Sequence, residues 1–64
     1  MISLTLYPHE FLIVARRRLE MTQGELAKLL GTSRQMVNYY EAGVVGISND
    51  KMEKIKEMVR ETAL

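Results

Sequence analysis

Residues 22–43 of this 64-residue chain, TQGELAKLLGTSRQMVNYYEAG, carry the clearest signals for helix starts and ends. Thr22 and Glu25 have the T-x-x-E spacing of a capping box, in which each side chain satisfies a free backbone N–H at a helix start. Gly31 can end that helix because glycine adopts a positive φ at little cost. Ser33 can then cap a second helix. The stretch therefore predicts two short helices held together by a tight glycine turn.

The second of these helices presents two different faces. At about 100° per residue, one side is apolar and predicts a buried face, made of Met36, Val37 and Tyr40. The other side carries the side-chain types that bind base edges in the major groove of DNA. An ordinary solvated face, which more often carries Lys and Glu, is the alternative. The predicted base-reading residues on this face are Arg34, Gln35, Asn38 and Tyr39.

A longer set of residues follows one pattern without a gap, R-x-x-x-G-L-S-Q-x-E-L-A-x-x-L-G-V-S-x-x-x-I-S-x-x-E-x-G. Identical or similar residues stand at Arg16, Met21, Thr22, Gln23, Glu25, Leu26, Ala27, Leu30, Gly31, Ser33, Val37, Glu41 and Gly43. In this the chain resembles the phage-repressor and Cro-type helix-turn-helix family, also called the xenobiotic-response-element family. The resemblance covers about residues 8–63. It implies an all-α, compact bundle of four or five short helices of the lambda-repressor-like type, whose helix-turn-helix unit spans about residues 22–42.

The resemblance implies that Ser33, like Arg34, Gln35 and Tyr39, meets bases or adjacent phosphates, so Ser33 joins the predicted base-reading residues. It also implies roles outside the second helix of the unit. Gln23 would contact a DNA phosphate at a helix N-terminus, where the helix dipole favours an anion. Arg16 and Glu41 match a pair that forms a buried ion pair in several members; two solvated surface charges are the alternative. Gly24 weakens its helix but lets a phosphate approach the backbone. The predicted phosphate contacts are Gln23, Thr22, Gly24, Lys28 and Arg17, and Gly31 is the predicted turn residue.

The chain departs from the family pattern at two places. Glu20 stands where the family usually has glycine at the end of its first helix, so this turn either differs or carries strain of about 1 kcal/mol. The segment Val44-Val45-Gly46-Ile47 is apolar where family members often place Lys or Arg. That segment loses phosphate contacts, and we expect it to be buried, with a second subunit as one cover.

Charge is unevenly distributed along the chain. The net charge is only +1, but residues 11–40 hold five basic and two acidic side chains, a balance of +3, while residues 41–64 have a balance of −1. The positive field therefore lies on the helix-turn-helix half, where it can attract phosphates. The length predicts one domain, residues 1–64. The absence of cysteine suits a reducing cytoplasm, so we expect a cytoplasmic protein that is nucleoid-associated when bound.

The flanking segments predict scaffold and contact surfaces. Apolar and polar residues alternate from Ile2 to Leu6, the period-2 pattern of a half-buried strand. This segment either packs over the first helix or pairs with its copy in a dimer; a disordered tail is the alternative. Ser48 can cap a fourth helix over about residues 49–62, where Asp50 is spaced to pair with Lys54. The predicted dimer interface comprises Ile2, Leu4, Leu6, Ile13, Val44, Val45 and Ile47.

These patterns predict a binding protein, not an enzyme. His9 is the only histidine and cysteine is absent, so we expect no metal site, no cofactor and no catalytic residues. No apolar run in the sequence is long enough to span a membrane. The sequence predicts a sequence-specific transcriptional regulator of prokaryotic or phage type, a repressor, acting as a homodimer on a roughly palindromic operator in double-stranded DNA. The alternative is a protein-interaction adaptor or antitoxin-like subunit of the same fold, whose apolar loop 44–47 binds a protein partner.

Overall fold

This computed structural model describes residues 7–62, which contain four α-helices. They are α1 (Pro8–Arg18), α2 (Gln23–Leu30), α3 (Arg34–Ala42) and α4 (Asn49–Thr62). The predicted all-α bundle of short helices is confirmed, and residues 7–62 contain no strand. The predicted N-terminal strand, with Ile2, Leu4 and Leu6, lies outside the described residues.

Side-chain caps fix the two helices of the helix-turn-helix unit. Thr22 Oγ1 accepts a hydrogen bond from the Glu25 N–H at 3.1 Å, and Glu25 Oε1 accepts one from the Thr22 N–H at 2.9 Å. The predicted capping box is therefore present. Gly31 ends α2 in the left-handed region, with φ +68°. Ser33 Oγ then accepts from the Met36 N–H at 3.1 Å and starts α3, so the turn between the helices is closed at both ends.

The end of α1 keeps a glycine-like geometry without a glycine. Helix α1 ends at Arg18, and two residues later Glu20 takes φ +56°, outside the right-handed helical region. Within residues 7–62, Glu20 is the one non-glycine residue with a positive φ. The Met21 N–H returns to the Arg16 carbonyl at 3.1 Å and closes the turn. The expected strain is thus placed on the Glu20 backbone, where a Cβ atom approaches the following carbonyl.

The core lies behind α3. Each helix contributes one fully buried side chain to it: Leu12, Leu26, Val37 and Ile55. Ala15, Ala27, Leu30 and Tyr40 complete the buried cluster. Helix α3 packs against both α1 and α2, while α4 packs on α1. Because α3 is supported on one side only, its opposite face is left outward.

One expectation about the C-terminal part was wrong. Lys54 does not pair with Asp50; its Nζ donates to the Leu29 carbonyl at 2.7 Å and so ties α4 to the C-terminal end of α2, where a cation is favoured. The burial of the apolar loop 44–47 against a second subunit stays a prediction, since in this single chain Val44 is 72% exposed and Val45 is 37% exposed. Ile47 alone of these packs against the core.

Candidate nucleic-acid interface

The outward face of α3 carries the polar residues that the sequence assigned to it. Arg34, Gln35, Asn38 and Tyr39 are all exposed, whereas Val37 and Tyr40 on the opposite side are buried. Ser33 is exposed as well, but its Oγ accepts the helix-capping hydrogen bond and is only partly free for another partner. The face therefore offers a guanidinium, two carboxamides and a phenol on one rigid rod.

A shallow hollow of about 260 Å³ lies between this face and the start of α2. It is lined by Gln23, Arg34, Gln35 and Asn38. A second hollow, of about 540 Å³, shares two of these residues and extends along the N-terminus of α2. Its lining consists of Arg16, Thr22, Gln23, Gly24 and Arg34. Because the two hollows share Gln23 and Arg34, they form one continuous surface that joins the outward face of α3 to the N-terminus of α2.

The start of α2 is chemically suited to an anion. The first N–H groups of a helix have no carbonyl partner within it, and the helix dipole adds partial positive charge there. The Thr22 hydroxyl accepts the N–H of Glu25, while Gln23 and Gly24, the first two residues of α2, line the larger hollow. Arg34, from the first turn of α3, adds a full positive charge to the same hollow. This arrangement can bind a phosphate group.

One buried carboxylate connects the three helices of this surface. Arg16 Nε donates to Glu41 Oε2 at 2.6 Å and Arg16 Nη2 donates to Oε1 at 3.2 Å. Gln23 Nε2 donates to the same Oε1 at 3.2 Å. The ion pair expected from the sequence is therefore present, with Glu41 only 8% exposed. Arg16 Nη1 also donates to the Met21 carbonyl at 3.0 Å, so α1, α2 and the end of α3 are held in a fixed relation.

The other predicted site residues are less concentrated. Arg17 and Lys28 are exposed, but neither lines the hollows, so a phosphate contact by either would lie at the margin of the surface. In the predicted dimer set, Ile13 and Ile47 are half-buried and Val44 and Val45 are exposed. Ile2, Leu4 and Leu6 lie outside the described residues.

Three features of the surface were not anticipated from the sequence. Gln23, assigned to a phosphate, commits one amide hydrogen to Glu41. Gln35 Nε2 donates to Tyr39 Oη at 2.8 Å on the outward face of α3. The His9 ring packs so close to Gly43 that a Cβ there would lie 3.3 Å from Nδ1. Pairs one helical turn apart are neighbours, so the spacing of Gln35 and Tyr39 was the available signal for the second.

One carboxyl group in this region has a shifted pKa. The backbone N–H of Thr22, and then its hydroxyl, lower the pKa of Glu25 from its ordinary 4.5, because hydrogen bonds from Thr22 favour the carboxylate. The ionised form of Glu25 therefore belongs to the folded capping box. Within the described residues, no three His, Cys, Asp or Glu side chains are grouped so as to hold a metal ion. No helix in this part of the chain is long and apolar enough to cross a bilayer.

Comparison with known families agrees with this geometry. The helix-turn-helix family model HTH_3 matches residues 12–57, which run from the first buried residue of α1 into α4. No curated protein and no solved structure gave a significant match. The family match covers α2, α3, most of α1 and the residues that line both hollows. The chain therefore belongs to the Cro/C1-type helix-turn-helix family of DNA-binding transcription regulators.

Proposed function

We propose that this chain is a sequence-specific repressor whose helix α3 enters the major groove of an operator. The observation that carries the proposal is the continuity of the α3 face with the N-terminus of α2, through two hollows that share Gln23 and Arg34. Base edges in the major groove require hydrogen-bonding side chains on a projecting helix. The flanking phosphates require amide donors and positive charge. This surface offers both, side by side.

The proposed roles follow from the position of each group. Arg34, Gln35, Asn38 and Tyr39 read bases, with Arg34 suited to guanine O6 and N7. The amides of Gln23 and Gly24 hold one phosphate and thereby fix the depth of α3 in the groove. The Arg16–Glu41 pair is architectural, since it holds α1 to the end of α3, and Gln23 at the start of α2 donates to the same carboxylate. No residue is assigned a catalytic role.

The protein acts on DNA as a homodimer in this proposal. A net charge of +1 and an apolar loop where phosphate-binding cations would help both favour two copies per operator over one. Two helix-turn-helix subunits read half-sites about 34 Å apart, and the extents of this subunit, 37 × 29 × 20 Å, suit that spacing. The operator is then roughly palindromic. The dimer, a cytoplasmic protein in this proposal, represses transcription by occupying a promoter.

The test begins with selection of bound fragments from random duplex DNA, followed by affinity measurements on the enriched site as a function of salt. If each subunit neutralises about 4 to 5 phosphates, the logarithm of the association constant falls against that of salt concentration with a slope near −8 for the dimer. A slope near zero, or the enrichment of no sequence, would contradict the proposal. Sedimentation of the complex counts the subunits.

A second function is favoured by one observation, the exposure of Val44 and Val45 beside the C-terminal end of α3. Adjacent exposed apolar side chains suit a protein contact, so the chain could serve as an adaptor or antitoxin-like subunit with a protein partner. A DNA column separates the two functions. Retention at about 0.15 M salt, where screening is already substantial, supports the regulator, and unretained passage supports the adaptor.

A further inference from the structure

Two side chains of the reading face are already bonded to each other without DNA. Gln35 Nε2 donates to Tyr39 Oη at 2.8 Å, across one turn of α3. Both residues are exposed, so this hydrogen bond forms in competition with water. An exposed glutamine otherwise samples many rotamers, and ordering it on binding costs side-chain entropy. The bond to Tyr39 restricts that sampling in advance.

Tyr39 is the better fixed of the two residues. Its carbonyl accepts hydrogen bonds from the Val44 N–H at 3.1 Å and the Val45 N–H at 3.5 Å, where Gly43 turns the chain with φ +77°. Its side chain has two torsions, fewer than glutamine, and about two thirds of the residue is covered, since 37% remains exposed. The backbone at Tyr39 is therefore fixed, and its phenol has fewer torsions than the Gln35 carboxamide, so Gln35 is the group being positioned.

The remaining hydrogen-bonding groups of Gln35 match one base in particular. With one N–H committed to Tyr39, the carboxamide keeps one N–H and its carbonyl oxygen. Adenine presents an N7 acceptor and an N6 donor in the major groove, which this pair satisfies. Guanine presents two acceptors, O6 and N7, so the glutamine oxygen would meet a second acceptor. An amide held in this orientation discriminates adenine from guanine more strongly than one free to rotate.

We propose that Gln35 and Tyr39 read DNA as one unit, in which Gln35 contacts an adenine and Tyr39 is its positioning residue. The inference rests on the proposed function, and it changes the role of Tyr39 from an independent base contact to a support for its neighbour. It also predicts that the two residues are energetically coupled. Residues in one hydrogen-bond network give non-additive effects, which a double-mutant cycle measures.

The experiment uses the full chain and the duplex that it selects from a random pool. Gln35→Ala identifies the base pair that Gln35 reads, as the position where the preference for adenine over guanine is lost. Tyr39→Phe should reduce that preference at the same base pair by about three- to tenfold, the worth of one net hydrogen bond. In the Gln35→Ala background, Tyr39→Phe should change it no further. Tyr7→Phe, which removes a phenol oxygen from a residue that is 70% exposed at the start of α1, is the matched control and should leave it unchanged.

Each other outcome has a defined meaning. An unchanged preference in Tyr39→Phe, an effect at a different base pair, or effects that add independently to those of Gln35→Ala would overturn the unit while leaving the proposed function in place. Equal weakening on every duplex would also overturn it, because Tyr39 would then contact the backbone. Failure of the wild-type chain to enrich any sequence would overturn the proposed function, and the unit with it. Thermal unfolding of each variant, expected to match the wild type, separates these outcomes from misfolding.

Discussion

The buried carboxylate of Glu41 allows a quantitative test of what holds α3 in its reading position. Arg16→Met removes two hydrogen bonds to Glu41, at 2.6 and 3.2 Å, and a third to the Met21 carbonyl at 3.0 Å. Gln23 remains as a neutral donor at 3.2 Å. The Glu41 carboxyl group then lacks its cationic partner at a site where it is 8% exposed.

The magnitude follows from the burial of the two partners. Leaving one charge of a buried pair uncompensated costs about 3–5 kcal/mol. We expect the lower end, about 3 kcal/mol, because the Arg16 side chain is 18% exposed and water can partly replace it. A chain of this length has a free energy of unfolding of about 3–10 kcal/mol. The substitution therefore removes a large share of it.

Urea unfolding followed by far-UV circular dichroism measures this loss. At an m-value of about 1–1.5 kcal/mol/M, the midpoint should fall by about 2–3 M. The matched control is Arg17→Met, an exposed arginine on the same helix, which should change the free energy by less than about 0.5 kcal/mol. The double variant Arg16→Met/Glu41→Leu should recover most of the loss, since no charge stays buried. A loss below about 1 kcal/mol in Arg16→Met would show that Arg16 and Glu41 behave as an ordinary surface ion pair and not as a buried one.

Three further predictions concern the turn after α1, the capping box and the reading face. Glu20→Gly should raise the free energy of unfolding by about 0.5–1 kcal/mol, because glycine adopts the φ of +56° without strain; Glu20→Ala keeps its Cβ and should gain nothing in the same urea titration. The folded-state pKa of Glu25 lies below its ordinary 4.5, so its contribution to stability is complete above that value and is lost as pH falls through the lowered one. Glu25→Gln should flatten this part of the acid unfolding curve, and an unchanged curve would argue against it. Arg34→Ala should lose about 1–3 kcal/mol of discrimination at one base pair, measured by competition between duplexes, while Arg60→Ala on α4 should lose none; equal loss on every sequence would mark Arg34 as a phosphate contact.

The fold was largely predictable because its determinants are local. The capping box of Thr22 and Glu25 and the glycine at position 31 act over three or four residues, and their spacing is visible in the sequence. The same holds for the apolar face of α3, which follows from helical periodicity alone. The end of α1 was harder to predict, since whether Glu20 continues the helix or takes a positive φ depends on the turn that Arg16 and Met21 close.

The site was predictable in its residue types but not in its internal bonds. The Arg16–Glu41 pair joins residues 25 positions apart and was found only through resemblance to a family, because no local pattern links them. Lys54 could reach Asp50 on its own helix or the Leu29 carbonyl on another, and only the packing of α4 decides between them. The exposure of Val44 depends likewise on whether another element covers it, which composition does not reveal.

Backbone NMR of the 64-residue chain, titrated with the duplex that it selects, shows directly which residues contact the DNA. If α3 reads the bases and α2 holds the backbone, the largest amide shift changes should fall on residues 22–24 and 33–39, with little change along α4. Changes concentrated on residues 44–47, with the outward face of α3 unaffected, would show that α3 does not enter the major groove.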